Sequence, residues 1–282
     1  MLRPAMPMEG DSMLKDYDGL TALVTGASSG IGRLLALRLA GKGARVALVA
    51  RRVDLLEELA SRIREGPGDA LVLGCDVADP EQVAACATRA LEQFGSIDLL
   101  VNNAGYGHHR RFLDWEVADM EKMMRVNYFG ALYFTKAILP AMVARRRGWL
   151  VFVASVAGRI AVPEESAYSA SKFAMVGLAE SLALEVEDAG VHVLTVNPGT
   201  IRTPFFDTEA LGRMPAVARR AMVEPEALVD AILKALAQGK HDLTYPRRLG
   251  VAYIVRALFP GLMRRQVKRV TIGSATRRPE SS

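Results

Sequence analysis

Apolar positions in this chain come in short unbroken runs. LTALVTG, ARVALVA, ALVLGCD and IDLLVNN are apolar at successive positions rather than at every second one, the pattern of strands covered on both faces of a parallel sheet. The segments between them, IGRLLALRLAGKG, VDLLEELASRIREG and residues 80–94, have helix length and helical spacing of their apolar side chains. Strand and helix therefore alternate as βαβαβ. The alternation continues with a long helical stretch over 117–146, a strand over 149–154, a helix that holds Tyr168 and ends before Gly190, a sixth strand over 191–196 and a helix over 225–238. The fold class expected from this pattern is α/β, a doubly wound, mostly parallel sheet with helices on both faces. No linker-like stretch divides it, so residues 19–249 are expected to form one domain. A polar, Met-rich arm without periodicity (1–18) precedes this domain, and a C-terminal extension (250–282) follows it.

Composition agrees with a substantial core. Of 282 residues, 50% are hydrophobic and 24% charged, which excludes disorder for most of the chain. The formal net charge is +5 and the pI about 9.3. The excess collects late, in RRLGVAYIVRALFPGLMRRQVKR and at Arg277 and Arg278. Residues 250–270 interleave Val251, Ile254, Val255, Leu258, Phe259, Leu262 and Met263 with Arg256, Arg264, Arg265, Lys268 and Arg269. Such a basic amphipathic segment can lie on an anionic membrane surface or cover an apolar substrate mouth; it can equally be a tail docked on the same chain or on a second subunit. Pro260 and Gly261 should break it in two. The N-terminus lacks the apolar core of a secretion signal, and no run of eighteen apolar residues occurs, so the chain is not expected to span a membrane. Cys75 and Cys86 have no metal-ligand spacing. Reduced thiols, a cytoplasmic setting with peripheral membrane contact left open, no metal and no nucleic-acid partner are expected.

The first strand leads into TGASSGIG and then a helix. Gly26, Gly30 and Gly32 let the backbone turn tightly and approach a pyrophosphate, and the helix N-terminus favours the anion; Ser28, Ser29 and Ile31 belong to the same turn. A fold of this type selects NAD with an acidic residue about 20 positions further on, for the ribose 2′-hydroxyl. Here the chain reads Ala50-Arg51-Arg52, and a guanidinium suits the 2′-phosphate of NADP in charge and geometry. Ser28 and Arg51 are the preferred phosphate contacts, with Arg52 beside them; the plainer alternative is that both arginines only open a solvated helix. At the third strand end Asp76 and Val77 are placed to meet an adenine, and at the fourth Asn102, Asn103, Ala104 and Gly105 form a polar turn.

Ser155 stands at the carboxyl end of the strand over 149–154, where open α/β sheets bind their ligands. Tyr168 and Lys172 lie at i and i+4 of the following helix, one turn apart on one face. A free tyrosine titrates near pH 10, too high for ready exchange at neutral pH, and an ammonium beside it favours the phenolate. Ser155 is then placed to hydrogen-bond a substrate oxygen while Tyr168 gives or takes its proton.

Taken together, TGASSGIG, CDV, NNAG, the asparagine of RVNYFG, Ser155, Tyr168-x-x-x-Lys172 and NPGTIRT stand in the order, and close to the spacing, of the short-chain dehydrogenase/reductase family. The sequence resembles that family over about residues 19–245. The resemblance implies a single-domain Rossmann-type fold and reversible hydride transfer between a nicotinamide, here NADP(H), and a carbonyl or secondary alcohol. By the same resemblance, Tyr168 is the proton donor or acceptor and Ser155 polarises the carbonyl. Lys172 contacts the nicotinamide ribose and lowers the tyrosine pKa, and Asn127 holds a water that links the lysine to solvent. Asn103, Ala104, Gly105, Pro198, Gly199, Ile201 and Thr203 supply remaining cofactor contacts. A homodimer or homotetramer is expected. A sensor that binds NADP(H) without reacting would have no need of Ser155, Tyr168, Lys172 and Asn127, and an epimerase or dehydratase usually carries a larger substrate region.

The substrate is less defined. A lid is expected over about 203–224, with Phe205, Phe206, Leu211, Met214 and Val217 either lining an apolar pocket or only packing the lid down, so an apolar carbonyl substrate is expected. His108, His109, Arg110 and Arg111 read as a solvated loop, with an entrance to the site or a binding place for an acidic group as the alternative.

Overall fold

The computed structural model describes residues 13–205, 219 and 221–275. In chain order its elements are β1 (Thr21–Thr25), α1 (Gly30–Ala40), β2 (Arg45–Ala50), α2 (Val53–Arg64), β3 (Asp69–Gly74), α3 (Pro80–Phe94), β4 (Leu99–Asn102), α4 (Val117–Met124), α5 (Gly130–Ala144), β5 (Gly148–Val153), α6 (Ser166–Val186), β6 (Val191–Pro198), α7 (Pro225–Ala237), β7 (Asp242–Tyr245), α8 (Gly250–Leu258) and α9 (Pro260–Ala275). The seven strands form one sheet in the order β3-β2-β1-β4-β5-β6-β7, and every pair is parallel. This is a Rossmann-like single domain. Strand order reverses between β1 and β4, and the crevice for ligands opens there, outside the carboxyl ends.

Both faces of the sheet are covered, which is why the strands read as unbroken apolar runs. Along β2, Val46 and Leu48 point into one layer with Leu35 and Leu39 of α1, Leu59 of α2 and Ile232 of α7. Their neighbours Ala47 and Val49 point into the other, with Ala90 of α3, Phe134 and Ile138 of α5 and Met175 of α6. The helices between strands start and stop on local signals. For α3, Pro80 opens the helix, the Asp79 carboxylate accepts from the Glu81 and Gln82 backbone N–H groups at 2.9 and 3.2 Å, and Gly95 ends it at φ 78°.

The structure departs from the sequence pattern in three places. The stretch over 117–146 contains a π turn, Arg125–Phe129, between α4 and α5. A seventh strand closes the sheet edge at β7, four residues long and only partly covered, too short and too little apolar to register as a strand. The N-terminal arm belongs to the body from residue 13 on: Leu14 and Tyr17 are buried, and the Leu14 N–H donates to the Leu236 carbonyl at 3.0 Å. Cys75 and Cys86 meet as free thiols where β3 faces α3, and their mutual hydrogen bond pushes the Cys75 thiol up. The expected break at Pro260 falls between α8 and α9. No helix among the described residues is long and apolar enough to cross a membrane. Most of the expected lid, with Phe206, Leu211, Met214 and Val217, lies outside the described residues, as do residues 1–12.

Phe134 is fully buried between α5 and the sheet. Phe134→Ala should therefore cost about 3–5 kcal/mol in chemical denaturation. Leu113→Ala, at a side chain 92% exposed, should stay within about 0.5 kcal/mol. A Phe134 variant that unfolds at the wild-type denaturant concentration would show that this layer is not close-packed.

Candidate active site

The β1–α1 turn is built on close approach. Gly26 has φ +68°, and a Cβ on it would stand 2.9 Å from both the Ala104 Cα and the Asn103 Nδ2; one on Gly32 would stand 2.5 Å from the Asn103 Nδ2 and from the Gly26 carbonyl oxygen. No side chain fits at either position. The NNAG turn fills that space and is tied down by Thr25, whose hydroxyl accepts from the Asn103 and Ala104 N–H groups at 2.9 and 3.0 Å and donates to the Val101 carbonyl at 3.2 Å. Asn103 returns a bond from Nδ2 to the Thr25 carbonyl at 2.9 Å. Gly30 faces Thr203, which brings the end of the NPGTIRT segment back over the glycine turn. The start of α1 has no acidic residue in its first turn and no side-chain cap, so its N–H groups and dipole are left for an anion. Ile31 packs against the core below.

At the end of β2 the guanidinium of Arg52 donates to the hydroxyls of Ser28 and Ser29 at 2.9 and 3.0 Å. Of the expected phosphate contacts, Ser28 is thus joined to Arg52 on the glycine turn, while Arg51 is exposed and its charge reaches Tyr106. The nearest carboxylate in sequence, Asp54, is exposed in the first turn of α2. At the end of β3 the Asp76 carboxylate accepts from the Ala78 N–H at 3.0 Å, and Val77 packs on Gly130. Beyond β6, which ends at Pro198, the Gly199 N–H donates to the Tyr245 carbonyl at 2.8 Å, and buried Ile201 bridges to Val223. The four strand ends and the turn after Pro198 thus come together at the carboxyl edge of the sheet, and the three glycines let the backbone segments there approach closely.

Ser155 follows β5 and caps the short turn Val156–Gly158, accepting from the Ala157 N–H at 3.1 Å. Its hydroxyl is close enough to that of Tyr168 to draw the phenol down. Lys172, 3% exposed, donates to the Val153 carbonyl at 2.9 Å, and its ammonium stands 5.8 Å from the centre of the Tyr168 ring. Electrostatics differ here from the expectation that the lysine would depress the tyrosine. Burial pushes the Tyr168 phenol above its ordinary value, the Ser155 hydroxyl pulls it part of the way back, and charge on Glu165 adds to the rise. Burial also pulls the Lys172 ammonium down to about 8. Desolvation outweighs the pair's attraction because both groups sit in protein and the ammonium is engaged with a backbone carbonyl.

Asn127 sits on the π turn and is fully buried. Its Oδ1 accepts from the Tyr106 N–H at 2.9 Å, and its Nδ2 donates to the Tyr106 carbonyl at 2.9 Å and to the Ser171 hydroxyl at 3.0 Å. A single side chain thereby joins the loop after β4 to α6. Gly105 lies in the same cluster, and a Cβ there would stand 3.1 Å from the Asn127 Oδ1 and 3.5 Å from the Lys172 ammonium.

The run His108–Arg111 is solvated only in part. His108 and Arg111 are exposed, but His109 Nε2 pairs with a Glu165 carboxylate oxygen at 3.1 Å, both side chains largely covered, and Arg110 lies 4.8 Å from the centre of the Trp115 ring. Burial pushes Glu165 up to about 7. The i, i+3 spacing of Glu165 and Tyr168 was visible in the sequence; the histidine partner, across a loop, was not. Around the tyrosine stands a small apolar cluster of Trp115, Met123 and Ala167 with Tyr106 and Met120 against it, and the Phe205 ring meets Tyr168 edge-on at 5.8 Å.

Residues 20–212 match the family described as short chain dehydrogenase. Dehydrogenase/reductase SDR family member 7B of Mus musculus is 36% identical over 256 residues, covering 85% of this chain and 77% of the relative. The 3-ketodihydrosphingosine reductase of Bos taurus is 37% identical over 233 residues, covering 79% and 70%. Among solved structures, a metagenomic short-chain oxidoreductase in complex with NADP superposes with a TM-score of 0.70 at 31% identity, covering 82% of this chain and 96% of that one. A Burkholderia phymatum short-chain dehydrogenase/reductase in complex with NAD reaches 0.80 at 25%, covering 88% and 96%. With a family match over residues 20–212 and relatives more than 30% identical over most of both chains, the chain is an NAD(P)-dependent oxidoreductase of the short-chain dehydrogenase/reductase family.

Proposed function

We propose that this oxidoreductase uses NADP(H) and reduces a ketone carried on an apolar, lipid-like substrate. The surroundings of Tyr168 carry the reading: the Phe205 ring meets it edge-on and the buried apolar cluster of Trp115, Met123 and Ala167 packs behind it, an environment that favours a hydrocarbon chain over a polar one beside the reacting carbon. The name of one relative, a reductase of 3-ketodihydrosphingosine, supports the same substrate class. Preference for NADP(H) rests on Arg52, already oriented by Ser28 and Ser29 where a 2′-phosphate would lie, with no carboxylate at the end of β2 to oppose it. Solved relatives hold NADP in one case and NAD in another, so the NADP(H) reading rests on the arginine.

A bound nicotinamide supplies the hydride to the carbonyl carbon. Ser155 orients the carbonyl oxygen, and Tyr168 delivers its phenolic proton to that oxygen. Because burial raises the phenol, Tyr168 keeps its proton at neutral pH, as the donor in a reduction must. Lys172 holds positive charge beneath the developing phenolate, and Asn127 fixes the loop and helix between which the ammonium lies. Consumption of NADPH across keto-acyl, steroid, sphingoid-type and small carbonyl compounds tests the substrate class. Turnover confined to small polar carbonyls would sink it.

Tyr168→Phe removes the proton and little binding surface. Turnover should fall at least about a hundredfold while NADPH affinity, read by nicotinamide fluorescence, stays near wild type; a variant that keeps most of its rate would remove the donor role.

Arg52→Ala should weaken NADPH and leave NADH nearly unchanged. Equal weakening of both cofactors would show that the arginine only shapes the turn.

Lys172 binds its proton less tightly in the folded state, about 8, than at its ordinary 10.5. Its burial therefore costs stability in full below about pH 8, and the cost fades as pH rises toward 10.5. Lys172→Met, uncharged throughout, should be inactive yet melt higher than wild type near neutral pH, with the advantage shrinking under alkaline conditions. A lower melting temperature at neutral pH would mean that the bond to the Val153 carbonyl outweighs desolvation.

A further inference from the structure

Helices α8 and α9 turn apolar side chains to solvent. Val251, Ile254 and Leu258, at i, i+3 and i+7 of α8, are 62, 60 and 66% exposed, and Phe259 and Leu262 extend the patch at 59 and 50%. The helix is held to the body by its other side. Arg256 lies 5.1 Å from the centre of the Phe173 ring and donates to the Arg159 carbonyl, and the Tyr253 hydroxyl meets that of Thr244 at 3.4 Å. α8 is thus docked, and its outward face is apolar. Single exposed apolar residues need no explanation, but five large ones within residues 251–262 form a patch of the kind that marks an interaction surface.

Charge selects what covers it. From residue 243 to 275 the chain has no aspartate or glutamate, and Arg247, Arg248, Arg264, Arg265, Lys268 and Arg269 are exposed around the patch. A second copy seated face to face on this surface would bring like charges together. A bilayer with anionic head groups meets both features, taking the apolar face at the acyl boundary and the cations at the phosphates. The surface is also rooted at the carboxyl edge of the sheet. The Tyr245 carbonyl holds the Gly199 N–H, and a Cβ on Gly199 would stand 2.6 Å from Leu249 Cδ1, so α8 begins beside the turn that edges the crevice.

We propose that α8 and α9 form a peripheral membrane-docking surface that seats the protein on anionic lipid with its crevice edge close to the bilayer. The proposal stands on exposure and charge, and does not depend on the substrate reading above. It is tested by co-sedimentation of the full chain with vesicles of phosphatidylcholine alone and of phosphatidylcholine mixed with phosphatidylserine, at low and high salt. Binding should require phosphatidylserine and fall steeply with salt as the surface charges are screened. The double variants Leu258→Glu with Phe259→Glu, and Arg264→Glu with Arg265→Glu, should each lower partitioning at least about tenfold. All four positions are exposed, so melting temperature and NADPH oxidation in solution should not move. Retention of the wild-type chain in the supernatant with phosphatidylserine vesicles at low salt would overturn the proposal, as would salt-independent binding or unaltered binding by the variants. A dimer seen by light scattering and split by Leu258→Glu with Phe259→Glu would assign the patch to a second copy and overturn it equally.

Discussion

The close approach of the β1 and β4 ends is the constraint on which the site depends. Thr25 spends one hydroxyl on two N–H groups and a carbonyl across the switch point, and Gly26 and Gly32 leave the space that Asn103 fills. Loosening this contact would widen the crevice where the strand order reverses, move the start of α1, and carry Ser28 and Ser29 away from Arg52. The cofactor edge is therefore set by backbone approach, with side chains completing it.

On the other side of the crevice the structure accepts an electrostatic cost. Lys172 and Tyr168 are both taken out of water, and their shifts run in the direction that burial dictates: the ammonium easier to deprotonate, the phenol harder. The Val153 carbonyl, the Ser155 hydroxyl and the bonds of Asn127 to Tyr106 and Ser171 hold these groups in place without neutralising the cost. Stability given up at a site of this kind is what keeps a charge and a proton positioned for chemistry rather than hydrated. Glu165, buried beside His109 and sensed by Tyr168, belongs to the same field.

The two edges of the sheet differ in how they end. β3 is paired to β2 alone and flanked by α2, whereas β7 is short and leads, through Tyr245 and Pro246, into two helices that share little of their surface with the core.

Much was legible in the sequence. Unbroken apolar runs separated by helical spacing specify a parallel sheet covered on both faces, because each strand must bury successive side chains in opposite layers, as Ala47 and Leu48 do. The glycine turn and the serine, tyrosine and lysine were visible for a similar reason: their local geometry, a tight turn and an i, i+4 helix pair, is encoded by neighbours in the chain. Tertiary structure alone decided what depends on groups distant in sequence. It set Arg52 against the two serines, buried Asn127 on a π turn against the Tyr106 backbone, and paired His109 with Glu165. It also reversed the expected shift of Tyr168, because desolvation comes from the whole surrounding fold and no local spacing records it.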